Sequence, residues 1–536
     1  MHFEQAFILL FAIATAVAIA ARFFRIPYTV ALVLTGLILG VAHAFEPPHL
    51  TKELLFAIIL PGLIFEAAFH LEFRQFWKNK LAIHSLAVPG VVASIWLTAA
   101  ILTPVVNELE FVQGFSFIHA LVFASIIVAT DPIAVVSLFK SLGAPKRLGV
   151  LVEGESLLND GTGVVLFTLV LGVATGGQFT VAGAVLDFVR VAGMGALIGG
   201  GVGYIISQLI RRIDDATVEI TLTVIAAYGS FVAAEHFHDS GVIATVVAGM
   251  VCGNWAAHVG MSPTTRVAVE SFWEYLAFAL NSVVFLLLGL EVQLSSLLAS
   301  WKPILVAFAA VAVGRALVVY AVSALLRPSK ERVPWAWSAV LTWSGLRGAI
   351  SMVLALSLPD GFPYRELLVN MTFGVVVLSI VVQGVTMAPV LRRLGVTGLQ
   401  DVYQGKYELA RGRLSSAVAA LSALRGMRSE RTTLGEVLEE LERDYQRKIS
   451  SAEEELRALQ QQSSRFREEE QQEAIRRMLV VEKEALIKDF QKGILGKEAF
   501  EHLVAEVDAR MEKAKLDEAP PPASQPPAQA QGPAKA

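Results

Sequence analysis

Read from the N-terminus, the chain alternates long apolar runs with short polar loops. Charge, Pro and Gly break the first 400 residues into thirteen such runs. A bilayer core about 30 Å thick needs roughly 20 apolar residues per helix. The runs at 6–24, 28–45, 53–70, 82–105, 117–139, 147–172, 182–210, 217–236, 240–258, 270–290, 301–326, 335–357 and 366–391 therefore predict thirteen transmembrane helices. The closest pair is the eighth and ninth, separated only by the polar patch from Glu235 to Ser240. Beyond Leu391 the pattern changes. Runs such as LGEVLEELERDYQRKI and EEELRALQQQ place Leu and Val at helical spacing within charged sequence, predicting water-exposed helices in a hairpin or small bundle. From Glu518 the chain is rich in Pro, Ala and Gln and is expected to be disordered. The expected organisation is a transmembrane domain over 1–396, a helical cytoplasmic tail over 397–517 and a disordered end over 518–536.

The distribution of Lys and Arg tests the count of spans, because positive residues collect in alternate, cytoplasmic loops. One side receives sixteen, among them Arg74, Lys78, Lys80, Lys140, Lys146, Arg147, Arg211, Arg212, Arg392 and Arg393. The other receives Lys52, Arg190, Lys302 and Arg365. This predicts an outside N-terminus, a cytoplasmic tail and an odd number of spans in the cell membrane. Arg315 and Arg347 fall inside spans eleven and twelve.

Composition sharpens the division at residue 400. Lys, Arg, Asp and Glu number 45 in the first 400 residues, about 11%, and 47 in the remaining 136, about 35%. The body suits lipid and the tail suits water. A net charge of -4 gives no reason to expect nucleic acid, and the single Cys252 excludes an intrachain disulfide framework or a cysteine metal site. The opening MHFEQ lacks the basic region of a secretory signal.

With so few charges in the body, each ionisable group inside a span is a functional candidate. Glu153, Asp187, Glu219, Glu270 and Glu291 lie near predicted boundaries and are expected to reach the interface. Asp131 is flanked by Thr130 and Pro132, and proline removes a backbone donor and frees a carbonyl one turn back. Broken helices of this kind expose ion-binding carbonyls near the middle of transporters. In EGESLLNDGTGVVLF, Ser156 and Asp160 share a helix face, Asn159 adjoins Asp160, and Glu155 lies a further turn back. Carboxylate, amide and hydroxyl oxygens suit a hard cation, and the same carboxylate can take a proton instead. Gly161 and Gly163 permit a close helix neighbour. An arginine in the membrane needs a partner, and Glu155 is the natural one for Arg315. Gly345 and Gly348 around Arg347 mark a second interruption. The two breaks fall in the fifth helix of two six-helix repeats, seven helices apart, so the repeats are expected to be inverted.

These residues bring a resemblance into view. LPGLIFEAAFH around Glu66, ATDPIAVV around Asp131, GESLLNDGTGVVLF around Asp160, AEHFHDSGVIATVVAGMVCGN, and GLRGAIS around Arg347 resemble the electroneutral monovalent cation/proton antiporters of the NhaP and NHE type, across most of residues 50–390. The resemblance implies an all-α NhaA/NhaP-like fold with two crossed, interrupted helices, and a homodimer whose protomers each have a dimerisation domain and a core domain. It implies Na+/H+ exchange with the ions as substrates and no cofactor. Asp160 becomes the ion- and proton-binding carboxylate, with Thr130, Asp131, Ser156 and Glu66 around it. Asn159 stands where electrogenic relatives carry a second aspartate, which implies one-for-one exchange. Glu155 with Arg315 becomes the structural ion pair, and Arg347 compensates charge at the crossing. The ligand types fit Na+, Li+ and K+ alike, and the tail's partner is left open. Two other classes are weighed: a channel or sensor with the tail as output, and an intramembrane aspartyl protease, whose GxGD-like segment LLNDGTG does not supply.

Overall fold

The computed structural model describes residues 3–24, 28–42, 55–109, 114–177, 180–291, 294–396, 399–430, 435–462 and short stretches between 478 and 510. The Pro/Ala/Gln-rich end at 518–536 lies outside the described residues. Two compact units divide the chain, Met1–Asp401 and Val402–Ala536.

Every one of the thirteen predicted spans is helical in the first unit. They are α1 (Phe3–Phe24), α2 (Tyr28–Val41), α3 (Leu60–His70), α4 (Lys80–Glu108), α5 (Phe117–Ile127 and Ile133–Leu142), α6 (Lys146–Ala174) and α7 (Val181–Ile210). They continue with α8 (Ala216–His236), α9 (Gly241–Val251, extended by a wider turn Cys252–Gly260), α10 (Pro263–Glu291), α11 (Trp301–Leu325), α12 (Trp335–Trp343 and Ala349–Leu356) and α13 (Arg365–Arg393). Helix boundaries differ from expectation where caps decide them. Helix α10 starts seven residues early, at Pro263, because proline is preorganised for a first helical turn. Helix α4 bends at Val88, just before Pro89.

The thirteen helices pack as two bundles. Helices α1 to α3 and α7 to α10 form one, in which α2 lies along α10 and α9 is wedged among α3, α7 and α8. Small residues allow this closeness: a Cβ on Gly36 would lie 2.9 Å from the Gly289 Cα, so two backbones meet with no side chain between them. The other bundle contains α4 to α6 and α11 to α13, with α4 packed on α5 and α11, and α6 on the first half of α5. Helix α6 also touches α3, α7 and α9, and so borders both bundles. The repeats α1 to α6 and α8 to α13 each carry their interruption in the fifth helix, as the positions of Pro132 and Gly348 predict.

Helix α14 (Leu399–Glu430), most of it in the second unit, and α15 (Gly435–Gln462) run antiparallel. Arg413 meets Glu455 and Arg425 meets Glu442, so residues further along α14 meet residues earlier on α15. Tyr407, Ala410 and Leu414 pack on Leu456 and Leu459. Burial of these side chains carries the pairing, since exposed ion pairs contribute about 0–1 kcal/mol each.

Candidate ion-binding site

The site is assembled from the two helix breaks. Pro132 cannot donate to the carbonyl of Val128, so α5 stops at Ile127 and restarts at Ile133. The freed Val128 oxygen accepts from Asn159 Nδ2 at 3.0 Å and from Arg347 Nη1 at 2.5 Å, and the Ala129 oxygen also faces Arg347 Nη1 at 3.3 Å. A guanidinium thus sits on the negative, C-terminal end of the first half-helix. Helix α12 repeats the arrangement. Its first half ends at Trp343, and the Leu341 carbonyl accepts from Arg315 Nε at 3.1 Å and Nη2 at 2.9 Å. Each arginine inside the membrane therefore holds one half-helix end. Sequence reasoning paired Arg315 with Glu155 alone and missed this second duty.

The breaks cross in contact. The Asp131 N–H donates to the Leu346 carbonyl at 2.8 Å, and the Arg347 N–H donates to Ser379 Oγ at 3.0 Å. Asp131 Oδ1 accepts from the Ile133 N–H at 3.0 Å, capping the second half of α5. Gly348 lies against it, where a Cβ would come 2.6 Å from the Asp131 Cβ and 2.8 Å from Oδ2. Overpacking of this order costs about 1–3 kcal/mol. Gly348→Ala is accordingly expected to lower the melting temperature in detergent, whereas alanine at Gly361, which has open space around it, should leave it unchanged.

On α6 the faces diverge. Glu155 turns to α11 and forms a buried bidentate pair with Arg315, with both N–O distances at 2.9 Å. Ser156 donates to the Thr130 carbonyl and accepts from Thr130 Oγ1 at 3.2 Å. Asn159 points into the break, with Nδ2 also 3.3 Å from Thr130 Oγ1. Asp160 is 9% exposed; the Thr130 backbone N–H faces its carboxylate, while Oδ1 has no hydrogen-bond partner among the described residues. Gly161 lets α9 approach, since a Cβ there would lie 2.6 Å from Ile243.

A cavity of about 310 Å³ lies between the bundles. Glu66, Thr130, Asp131, Ser156 and Asp160 all line it. Five expected site residues thus meet, four from α5 and α6 and Glu66 across the gap on α3. Two expected residues stand apart. Asn159 and Arg347 line a separate small void of about 20 Å³ with Glu155 and Arg315, on the far side of α6. They shape the break and do not face the cavity.

The boundary glutamates also need correction. Glu153 lines the cavity, which its place near a predicted boundary did not suggest. Glu219, in the first turn of α8, is 0% exposed. Glu270 pairs with Arg266 at 2.7 Å and Asp187 is exposed, each well inside its helix because the helices begin at Pro263 and Val181. His70, Lys140 and Glu274 line the cavity as well, and sequence reasoning did not select them. The available signal for Glu153 was its spacing to Ser156 and Asp160, three and seven residues on along one helix face.

Two inverted repeats, crossed broken helices and a polar cavity between two bundles define a secondary transporter of the membrane. Comparison with known proteins narrows the class. A family profile described as sodium/hydrogen exchanger, transmembrane, matches residues 8–393. The Na+/H+ antiporter ApNhaP of Aphanothece halophytica is 39% identical over 389 residues, covering 72% of this chain and 73% of its own. The Na+/H+ antiporter NhaG of Bacillus atrophaeus is 39% identical over 432 residues, covering 78% and 80%. The antiporter NhaS2 of Synechocystis is 33% identical over 498 residues, 91% of this chain, so that likeness extends into the tail. Among solved structures, the sodium proton antiporter MjNhaP1 of Methanocaldococcus jannaschii superposes with a TM-score of 0.61 at 19% identity, covering 74% of this chain and 99% of its own, and shares the fold. The chain belongs to the sodium/hydrogen exchanger family.

Proposed function

We propose that this protein exchanges Na+ for H+ across the cell membrane, one for one, by alternating access at Asp160. The observation that carries the reading is the unpartnered Asp160 oxygen in a cavity lined by further oxygen donors. A carboxylate so placed takes either a proton or a hard cation, and cation binding displaces the proton. Thr130, Ser156, Asp131 and Glu66 are the oxygen-bearing side chains available to complete the cation's shell.

The charges gathered at the crossing of the two breaks account for the coupling. Glu155 and Asp131 balance Arg315 and Arg347, which leaves Asp160 as the uncompensated charge at the crossing. With one Na+ or one H+ aboard, these five groups sum to zero. Empty, they carry one negative charge, which is costly to move through a low-dielectric barrier. Movement of the bundle that carries them against the other is then permitted when loaded and opposed when empty. That rule couples the two fluxes without an energy-yielding cofactor.

The cavity reaches Lys140 and His70, at helix ends beside the loops rich in Lys and Arg. The positive-inside rule places that side, and the tail, in the cytoplasm. The family likeness supports assembly as a homodimer in lipid.

Proteoliposomes carrying an imposed Na+ gradient test the reading. Proton movement opposite to Na+ is expected, with less when K+ replaces Na+. Because both loaded forms carry the same charge, clamping the membrane potential at zero or at a large negative value should leave the rate unchanged. Proton movement that vanishes when the potential is clamped would instead indicate a channel.

A further inference from the structure

The cavity extends beyond the residues that would hold the ion at Asp160, and its outer part has a charge pattern of its own. Glu153, Ser156 and Asp160 all line it and stand at i, i+3 and i+7 on α6, one straight row of oxygen donors. At a rise of 1.5 Å per residue, Glu153 is roughly 10 Å from Asp160 along the helix axis, towards the end beside Lys146 and Arg147. Its carboxylate forms no ion pair among the described residues, although Lys140, Glu66 and His70 are close enough to act on it electrostatically. Lys140 reaches the same cavity from the last turn of α5, one helical turn beyond Ser137 and Val136. Glu66 and His70 of α3, and Glu274 of α10, face them from the other bundle.

We propose that Glu153 is a way station for the cation between the cavity mouth and Asp160, and that Lys140 is a tethered cation competing with the substrate for it. The inference rests on the reading that Na+ is the substrate of this cavity. Its physical content is a pair of opposed charges on one side of the access path. A carboxylate at Glu153 raises the local concentration of cations one step before the binding site, and an ammonium at Lys140 lowers it. Neither group meets Asp160 directly, so both act on the occupancy of the site and not on the movement of the loaded bundle. Glu153 and Lys140 sit on α6 and α5, the two helices that carry Asp160 and Asp131, so they keep their position relative to the site if that bundle moves.

Opposite signs make the test specific. In proteoliposomes, Glu153→Gln is expected to raise the Na+ concentration for half-maximal exchange about three- to tenfold, with the maximal rate kept. Lys140→Gln should lower it about two- to threefold, and Glu153→Asp, which keeps the charge, should stay near the parent protein. Raising ionic strength with an impermeant salt should shrink both differences, because screening weakens charges that solvent reaches. A lower maximal rate with unchanged half-saturation in Glu153→Gln would overturn the proposal, as would shifts of the same sign for both substitutions. Equilibrium binding of radioactive Na+ to the purified proteins in detergent reads the same order of affinities independently of exchange. If the parent protein moves no protons while the binding order holds, the exchange reading fails and the way station stands. If exchange is present and the binding order is absent, the reverse is true.

Discussion

Asp160→Asn should reduce Na+-driven proton movement to the level of empty liposomes while leaving the protein folded. Asparagine matches aspartate in size, so the packing of α6 against α5 and α9 is preserved. What it removes is the group that can be neutralised in two ways: an amide neither gains a proton near neutral pH nor offers a charge to a cation. The substitution also removes the negative charge that the buried Asp160 carries when empty, a charge that is costly to hold in a low-dielectric interior, so the melting temperature should be equal or higher. The pairing of lost exchange with retained or increased stability separates a functional carboxylate from a structural one. Exchange at the parent rate would remove Asp160 from the mechanism.

The second large effect runs the other way. Glu155→Ala should unfold the protein more readily before anything else is measured. It would strand the Arg315 guanidinium, which is 8% exposed and held by two bonds of 2.9 Å. Breaking a buried pair by removing one partner costs about 3–5 kcal/mol, because an uncompensated charge is left in a medium of low dielectric. Arg315→Ala should cost at least as much, since it also deprives the Leu341 carbonyl of two donors at the end of a half-helix. The two substitutions share one interaction, so the double variant should lose less than their sum. Thermal unfolding in detergent reads all three. A melting temperature for Glu155→Ala equal to that of the parent would show that the pair is not structural.

These two predictions concern carboxylates five residues apart on one helix, and they show how far the sequence could be read. The row ESLLND made Ser156 and Asp160 neighbours on one face, because the helical period is a local property. Pro132 and the glycines around Arg347 located both interruptions, since the loss of a backbone donor and the lack of a side chain act within one turn. The freed Val128 carbonyl was foreseeable for the same reason. Its donors were not: Arg347 comes from a helix more than two hundred residues away. Asn159 was grouped with the ligands because it adjoins Asp160, yet it turns into the break. Glu153 was grouped with interfacial glutamates because it lies near the end of a span, yet it lines the cavity.

By itself, the sequence determined that this is a membrane protein of thirteen helices with two broken ones, and which few charges lie within it. The reason is that a bilayer demands some twenty apolar residues per span and tolerates few ionisable groups, so both signals are written along the chain. Tertiary structure alone decided which break carbonyls the two arginines hold, which bundle contributes Glu66 opposite Asp160, and which acids face the cavity and which face a partner. Those outcomes depend on the rotation of each helix about its axis and on contacts between residues distant in sequence, and neither is encoded in local spacing.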